Sequence, residues 1–369
     1  MRRSIFSTLF NAILCALTFS VIAFGQKPTP TPKPKAADDE VIKVSSRLVV
    51  VPVSVVDSNG QPVAGLKAEN FQVAEDGRRQ TIDQVSDAEN TPLEIALLID
   101  VSGSVSPLFN FEIDTAAQFL QSVMKPDDRA TIFLIGDKPI SDLKRENAAD
   151  TAAHLRTIVP SGKFTAFYDT LSLAAKYLQR NAPLKSRRVV LALTDGEDNW
   201  SDMTRDAEIA NYRDIDVNSL TPEKRNQLAA RTDAAHVAAQ ALIDHDLQNA
   251  DTVFYSINPA GDSYKLNKIS QRAQVGMDKF ASDTGGAAFL PHFLSTSMKD
   301  ALQDTGNANK NKQTLALIFS QLAAELRAQY LIQYYSEADF PLNKYVTLDV
   351  KLQPAIGFRI RARQGYYVK

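Results

Sequence analysis

The stretch that most constrains the fold is Pro92–Ser106, which reads PLEIALLIDVSGSVS. Its apolar run, Ile95–Ile99, ends abruptly in Asp100, and a helical pattern follows. A short apolar run that stops at a turn is typical of a strand buried inside a parallel sheet. We therefore expect the polar residues after it to lie on the loop at the carboxyl end of that strand, where open α/β sheets bind their ligands.

Three side chains on this loop carry oxygen atoms suited to a metal ion: Asp100, Ser102 and Ser104. Gly103, between the two serines, permits a tight turn. A carboxylate and two hydroxyls are hard-oxygen ligands of the kind that Mg²⁺ or Mn²⁺ prefers. Taken alone, the motif has a second interpretation, because Asp and Ser are common at helix starts and Ser104 could cap the next helix.

The motif resembles the metal-ion-dependent adhesion site of von Willebrand factor type A domains, which has Asp-x-Ser-x-Ser after a buried strand. Two later segments agree with that resemblance. Thr165 lies in Gly162–Asp169, GKFTAFYD, which is similar to the family's glycine-rich loop ending in Thr-Ala-Leu-Tyr-Asp, with Phe164 where a glycine is usual. Asp195 follows a second buried run, Val189–Leu193.

This resemblance covers roughly residues 90–340 and implies a bound Mg²⁺ or Mn²⁺ ion with an open position for a carboxylate of a partner protein. The ligands that it implies are Asp100, Ser102, Ser104, Thr165 and Asp195. The hydroxyls would be neutral ligands, and the carboxylates would bind the ion directly or through water. Two carboxylates roughly neutralise a divalent ion, while neutral hydroxyls leave it electrophilic.

Alternating strand and helix patterns predict an α/β fold over residues 91–340, with a doubly wound, mostly parallel, Rossmann-like sheet. The later strands are predicted at Ala130–Ile135, Arg188–Thr194, Thr252–Ile257, Ala287–Leu290 and Tyr330–Tyr334. Helices are predicted at Leu108–Val123, Ala148–Ile158, Ala166–Leu178 and Leu315–Ala328. Residues 201–250 exceed what this connection needs and are predicted to form an inserted helical hairpin close to the metal face. The alternative is a solvent-exposed insertion that has no function.

The first 25 residues have the pattern of a secretory signal peptide, with Arg2 and Arg3 before an apolar segment. Ala23 and Gly25 are small residues at the −3 and −1 positions of a possible cleavage site. We therefore expect a mature chain that is exported to the periplasm, the cell envelope or the medium. An uncleaved anchor is the alternative, because the apolar run is nearly long enough to span a bilayer. Residues 26–41 form a proline-rich linker, expected to be an extended spacer.

Residues 42–90 are predicted to form a small β module, because Leu48–Val56 is rich in β-branched residues and a turn at Asn59-Gly60 follows. Residues 341–369 contain two more strand patterns, at Tyr345–Leu352 and Gly357–Val368. We expect both ends of the chain to share one sheet outside the A domain, with a separate C-terminal hairpin as the alternative. These segments resemble those of the exported VWFA-related acidobacterial family.

The predicted function is that of an exported, metal-dependent adhesion module that binds an acidic residue of a protein partner. A structural envelope scaffold and a metal-dependent hydrolase are the alternatives; His-Glu-x-x-His and Gly-x-Ser-x-Gly motifs are both absent from the sequence. The chain carries 41 basic and 43 acidic residues, which does not favour a nucleic-acid partner. Glu197 and Asp198 are expected to form an exposed acidic loop.

Overall fold

The computed structural model describes residues 46–102, 109–162, 164–214, 221–262, 266–295, 301–353 and 357–369. The predicted signal peptide, the predicted linker and Ser104 lie outside these residues. Within them, the strands are β1 (Arg47–Val56), β2 (Phe71–Glu75), β3 (Arg78–Gln80), β4 (Ile82–Asp87), β5 (Leu93–Asp100), β6 (Arg129–Ile135), β7 (Ile140–Glu146), β8 (Arg187–Leu193), β9 (Thr252–Ile257), β10 (Ala287–Phe289), β11 (Tyr330–Ser336), β12 (Tyr345–Leu352), β13 (Arg359–Ala362) and β14 (Gly365–Tyr367). The helices are α1 (Phe109–Val123), α2 (Ala148–Leu155), α3 (Phe167–Asn181), α4 (Asp202–Asp214), α5 (Pro222–Asn249), α6 (Lys268–Thr284) and α7 (Ala301–Arg327).

The apolar run after Pro92 forms β5, an interior strand of a six-stranded sheet in the order β10-β9-β8-β5-β6-β7. All its residues are buried, because helices cover both faces of the sheet. Ile95 and Leu97 pack into a core with α1 and α7, whereas Ala96 and Leu98 pack into a core with α3, α5 and α6. Every pairing is parallel except that of β7. This arrangement confirms the predicted doubly wound α/β fold.

The order of strands reverses beside β5. The chain leaves β5 for β6 on one side and later returns to β8 on the other side. At such a switch point the loops at the carboxyl ends of the two neighbouring strands diverge and leave a crevice. Asp100 ends β5 and Asp195 follows β8, so both predicted ligands lie at this crevice.

The edge strand β7 is a feature that the sequence patterns did not reveal. Its sequence is ISDLKRE, and it pairs with β6 in an antiparallel, irregular register. As an edge strand it buries little apolar surface, so its sequence lacks the apolar run that marks the interior strands.

Two four-stranded sheets, in the orders β13-β1-β11-β4 and β14-β12-β2-β3, enclose a separate core. Each of them combines strands from both ends of the chain, since β1 pairs with β13 and β2 pairs with β12. The expectation of a single shared sheet is thus replaced by two sheets, which we call the β-sandwich. The placement of Tyr330–Tyr334 as the last strand of the A domain is wrong, because β11 pairs with β1 and β4. This strand follows a long helix, as the strands of a parallel α/β sheet do. The local sequence pattern therefore predicts the wrong sheet for it.

A buried carboxylate lies in the core of the β-sandwich and accepts hydrogen bonds from both sheets. Glu75, on β2, is 1% exposed and accepts hydrogen bonds from the hydroxyls of Tyr334 (3.0 Å) and Tyr366 (2.6 Å) at Oε1. Its Oε2 accepts a bond of 2.7 Å from Ser336 Oγ. Burial raises the pKa of Tyr366 to about 12 and also raises that of Tyr334, so both phenols stay protonated as donors. Because β2 and β11 belong to different sheets, the cluster joins the two layers.

Among the helices that the structure describes, none combines the length and the apolar character needed to cross a membrane.

Replacement of Glu75 by alanine should lower the free energy of unfolding by about 3 kcal/mol or more, because it leaves three buried hydroxyls without their acceptor. Urea denaturation measures the change, and Glu69→Ala, at an exposed position of the same module, is the control with little effect. Tyr366→Phe should cost less in the Glu75→Ala background than in the wild type. Strictly additive effects would show that the two groups do not interact.

Candidate metal centre

Asp100 is held at the end of β5 by hydrogen bonds to both of its carboxylate oxygens. Oδ1 accepts from the backbone N–H of Ser102 at 3.0 Å, and Oδ2 accepts from Thr194 Oγ1 at 2.6 Å. Burial raises the pKa of the Asp100 carboxyl above its ordinary value, and the bonds from Ser102 and Thr194 oppose that rise. The ionised form of Asp100 therefore depends on donors or positive charge close by.

The turn that carries Asp195 is fixed by its own hydrogen bonds and by a glycine. Gly196 N–H donates to Thr194 Oγ1 at 3.0 Å, and Glu197 N–H donates to Asp195 Oδ1 at 3.0 Å. Gly196 has a φ of +74°, and a Cβ at this position would lie 2.7 Å from Met277 Sδ. Glycine is favoured at this position, because any other residue would strain the backbone and would require the side chain of Met277 to move. Through Thr194, this turn is joined directly to Asp100.

Thr165 is buried and lies against the loop that follows Asp195. Its backbone N–H donates to Asn199 Oδ1 at 2.9 Å, and its carbonyl accepts from the N–H groups of Asn199 and Trp200, each at 3.0 Å. On its other side, Ala166 N–H donates to the carbonyl of Gly136, after β6, at 2.7 Å. The position of Thr165 is thus set by the loops after β6 and β8.

A third set of bonds ties the loop after β5 to the segment before Thr165. The carbonyl of Val101 accepts from Ser161 N–H at 2.7 Å and from Ser161 Oγ at 2.8 Å. Val101 N–H donates to the carbonyl of Ile135 at 3.0 Å. The segments that carry Asp100 and Ser102, Thr165, and Asp195 are therefore bonded to one another at one edge of the sheet, although they are distant in sequence.

Asp198 is the residue whose importance the sequence reading missed. The expectation of an exposed position is wrong, because Asp198 is 4% exposed. Its carboxylate accepts from Tyr168 N–H in the first turn of α3 (3.1 Å), from Thr204 Oγ1 in α4 (2.7 Å) and from Ser201 Oγ. Burial raises the pKa of Asp198. An Asp placed before Ser and Thr at a helix start is a capping signal that could have indicated this role.

The helices α4 and α5 form a hairpin in the region predicted as an insertion. Asn211 Nδ2 donates to the carbonyl of Leu228 at 2.9 Å and to Thr232 Oγ1 at 2.8 Å, which joins the two helices. On α5, His236 Nδ1 lies 3.2 Å from the hydroxyl of Tyr168, at the start of α3. The hairpin thus packs against α3, which begins two residues after Thr165.

The predicted metal ligands on the described segments at this edge are the carboxylates of Asp100 and Asp195 and the hydroxyls of Ser102 and Thr165. All are hard oxygen ligands, and a carboxylate oxygen that accepts one hydrogen bond keeps acceptor capacity for a cation. The chemistry of the donor set therefore fits Mg²⁺ or Mn²⁺. Among the residues that the structure describes, at this site or elsewhere, no three His, Cys, Asp or Glu side chains form a cluster that could hold a metal ion.

Residues 95–197 match the von Willebrand factor type A domain family, and these residues run from β5 to the turn of Asp195. The chain contains a von Willebrand factor type A domain. Domains of this family are often metal-dependent modules of protein interaction, and they are generally not enzymes. No curated protein matches the chain.

Three solved structures illustrate what the chain is similar to. A von Willebrand factor type A protein from Catenulispora acidiphila shares 10% identity over 88% of this chain and 74% of its own, with a TM-score of 0.40. An aerotolerance-related membrane protein from Bacteroides fragilis shares 11% over 60% of this chain and 99% of its own, with a TM-score of 0.33. Proximal thread matrix protein 1 from the mussel byssus was solved with zinc in its MIDAS motif, the metal-ion-dependent adhesion site. It shares 12% identity over 68% of this chain and 50% of its own, with a TM-score of 0.37. At these identities, none of the three is a guide to function.

The burial of His236 predicts a loss of stability in mild acid. Its side chain lies close to Tyr168 and Glu208, with the charged groups of Asp233 and Arg272 nearby, and burial lowers its pKa from 6.5 to about 4. Between these values the unfolded chain takes up a proton that the folded domain does not, so stability falls as the pH decreases through this window.

Urea denaturation at a series of pH values measures this effect. We expect His236→Gln to flatten the dependence of unfolding free energy on pH between about 6.5 and 4. His245→Gln, at a half-exposed position of the same helix, is the matched control and should leave the dependence unchanged. An unaltered slope in His236→Gln would assign the acid sensitivity to other groups.

Proposed function

We propose that the protein is an exported, metal-dependent protein-binding module. In this proposal Asp100, Ser102, Ser104, Thr165 and Asp195 hold one Mg²⁺ or Mn²⁺ ion, and an open position on that ion takes an acidic side chain from a protein partner. The observation that carries the proposal is the hydrogen-bonded union of three distant segments at the switch point of the sheet. A set of loops held together in this way presents its oxygen ligands with little further ordering.

The charge of the donor set explains why such a centre would attract a carboxylate. Asp100 and Asp195 balance the charge of a divalent ion, and the hydroxyl ligands add none. The ion then keeps its affinity for a further anionic ligand, since Mg²⁺ favours six oxygen ligands and completes its shell with water where the protein supplies fewer. A partner carboxylate can replace one of those waters.

The burial of Asp100 and its neighbours supports a link between the ion and the stability of the domain. Without positive charge, two carboxylates at one crevice repel each other, and an ion removes that repulsion. A ligand that binds only the folded state stabilises it by about 2.7 kcal/mol when its concentration is 100 times its dissociation constant. Metal binding is therefore measurable as a shift in thermal unfolding.

Thermal unfolding in Mg²⁺ and in chelator tests the metal part of the proposal. The wild-type midpoint should rise in Mg²⁺ by several degrees, and Asp195→Ala should abolish most of the rise because it removes one of the two charges. Asp202→Ala, which removes an exposed carboxylate at the start of α4, is the matched control. Equal midpoints for the wild type in both conditions would refute the metal centre.

Capture from an envelope extract tests the binding part of the proposal. Immobilised wild-type protein should retain partner proteins in Mg²⁺ and release them in chelator, whereas Asp195→Ala should retain none of that set. A domain that Mg²⁺ stabilises, but that retains the same proteins in Mg²⁺ and in chelator, would instead be a structural scaffold. Turnover of ester or phosphoester substrates would favour the hydrolase alternative.

A further inference from the structure

Two aromatic side chains form a stacked pair at the surface beside Thr165. The rings of Phe164 and Trp200 are nearly parallel, at an interplanar angle of 11°, and their centroids are 4.4 Å apart. Phe164 is 54% exposed, although it is one of the largest apolar side chains in the protein. Exposure of an apolar ring to water is unfavourable, and a bound partner that covers the ring would remove that unfavourable contact.

The aromatic pair is fixed to the candidate metal centre by the backbone. Phe164 directly precedes Thr165, and the backbone N–H of Trp200 donates to the carbonyl of Thr165 at 3.0 Å. The stacked pair is therefore attached to a predicted metal ligand twice, through the peptide bond from Phe164 and the hydrogen bond from Trp200. A partner that places a carboxylate on the metal would therefore have its neighbouring side chains close to these rings.

The loop that carries Trp200 is held in place before any partner binds. Asp198, two residues earlier, is buried and bonded to Tyr168, Ser201 and Thr204. Asn199 adds bonds to Thr165 through both its backbone and its side chain. Rigid aromatic side chains on a fixed backbone lose little entropy on binding, and such side chains are frequent among the residues that dominate interface energies.

We propose that the Phe164–Trp200 pair determines partner specificity at this site by binding an aromatic or proline side chain close to the partner's acidic residue. This inference rests on the proposed function, because the metal supplies the anchor for the carboxylate. The ring face supplies the second contact, since flat apolar rings stack favourably on an exposed aromatic surface. The occupant is thus a peptide segment with one acidic residue and one ring-bearing residue near each other.

Selection from a phage-displayed library of random linear peptides tests the inference on the full chain. Peptides are bound to the immobilised protein in Mg²⁺ and eluted with chelator. The sequences recovered should combine Asp or Glu with a nearby aromatic residue or proline. A synthetic peptide of that consensus should bind Phe164→Ala about tenfold more weakly than wild type, and Phe164→Trp should restore binding.

Two controls separate a binding role from a structural one. Leu184→Ala removes a side chain that is 96% exposed at the opposite edge of the sheet, before β8, and should leave the affinity unchanged. Phe164→Ala should keep the wild-type stabilisation by Mg²⁺. Loss of that stabilisation would assign Phe164 to the architecture of the loop and overturn the inference.

The remaining outcomes distinguish this inference from the proposed function on which it rests. Chelator-eluted peptides that contain acidic residues without nearby rings, or equal peptide affinity for wild type and Phe164→Ala, would overturn the inference and leave metal-dependent binding intact. Recovery of the same peptides by chelator and by buffer alone would overturn both. Chelator-eluted peptides whose binding depends on basic residues would also refute the apolar contact.

Discussion

The hydrogen bond from Thr194 Oγ1 to Asp100 Oδ2 is the contact on which the candidate centre depends. It joins the ends of β5 and β8, the two strands between which the order of the sheet reverses. Both groups are buried, so loss of the bond would leave Asp100 Oδ2 without this donor, although Oδ1 still accepts from Ser102 N–H. Thr194 also accepts from Gly196 N–H, and one hydroxyl therefore sets the geometry of both acidic loops.

The sequence predicts the parts of this molecule that have a strong local signal. Burial on both faces makes β5 and β8 continuous apolar runs, and the polar residues that follow them stand out. The strand β11 could not be placed in this way, because it pairs with β1 from the opposite end of the chain. Asp198 was misjudged because an exposed acid and a buried capping acid have the same local sequence, and only the packing of α3 and α4 distinguishes them.

The β-sandwich is attached at the edge of the sheet opposite the candidate centre. Arg187 begins β8 and donates to the carbonyl of Leu326 and to the side chain of Gln329, where α7 leads into β11. Gln329 in turn donates to Ser54 of β1. Asp195 follows the other end of β8, so this junction lies at the opposite end of the strand from the predicted ligands and the aromatic pair.

Anomalous diffraction from crystals grown with Mn²⁺ tests the central claim most directly, because it locates the ion without reference to any partner. The account predicts an anomalous peak at the crevice between β5 and β8, within about 2.2 Å of oxygen atoms from the predicted ligand set or of waters held by it. Mn²⁺ bound only elsewhere on the protein, with the crevice empty at saturating concentration, would contradict it.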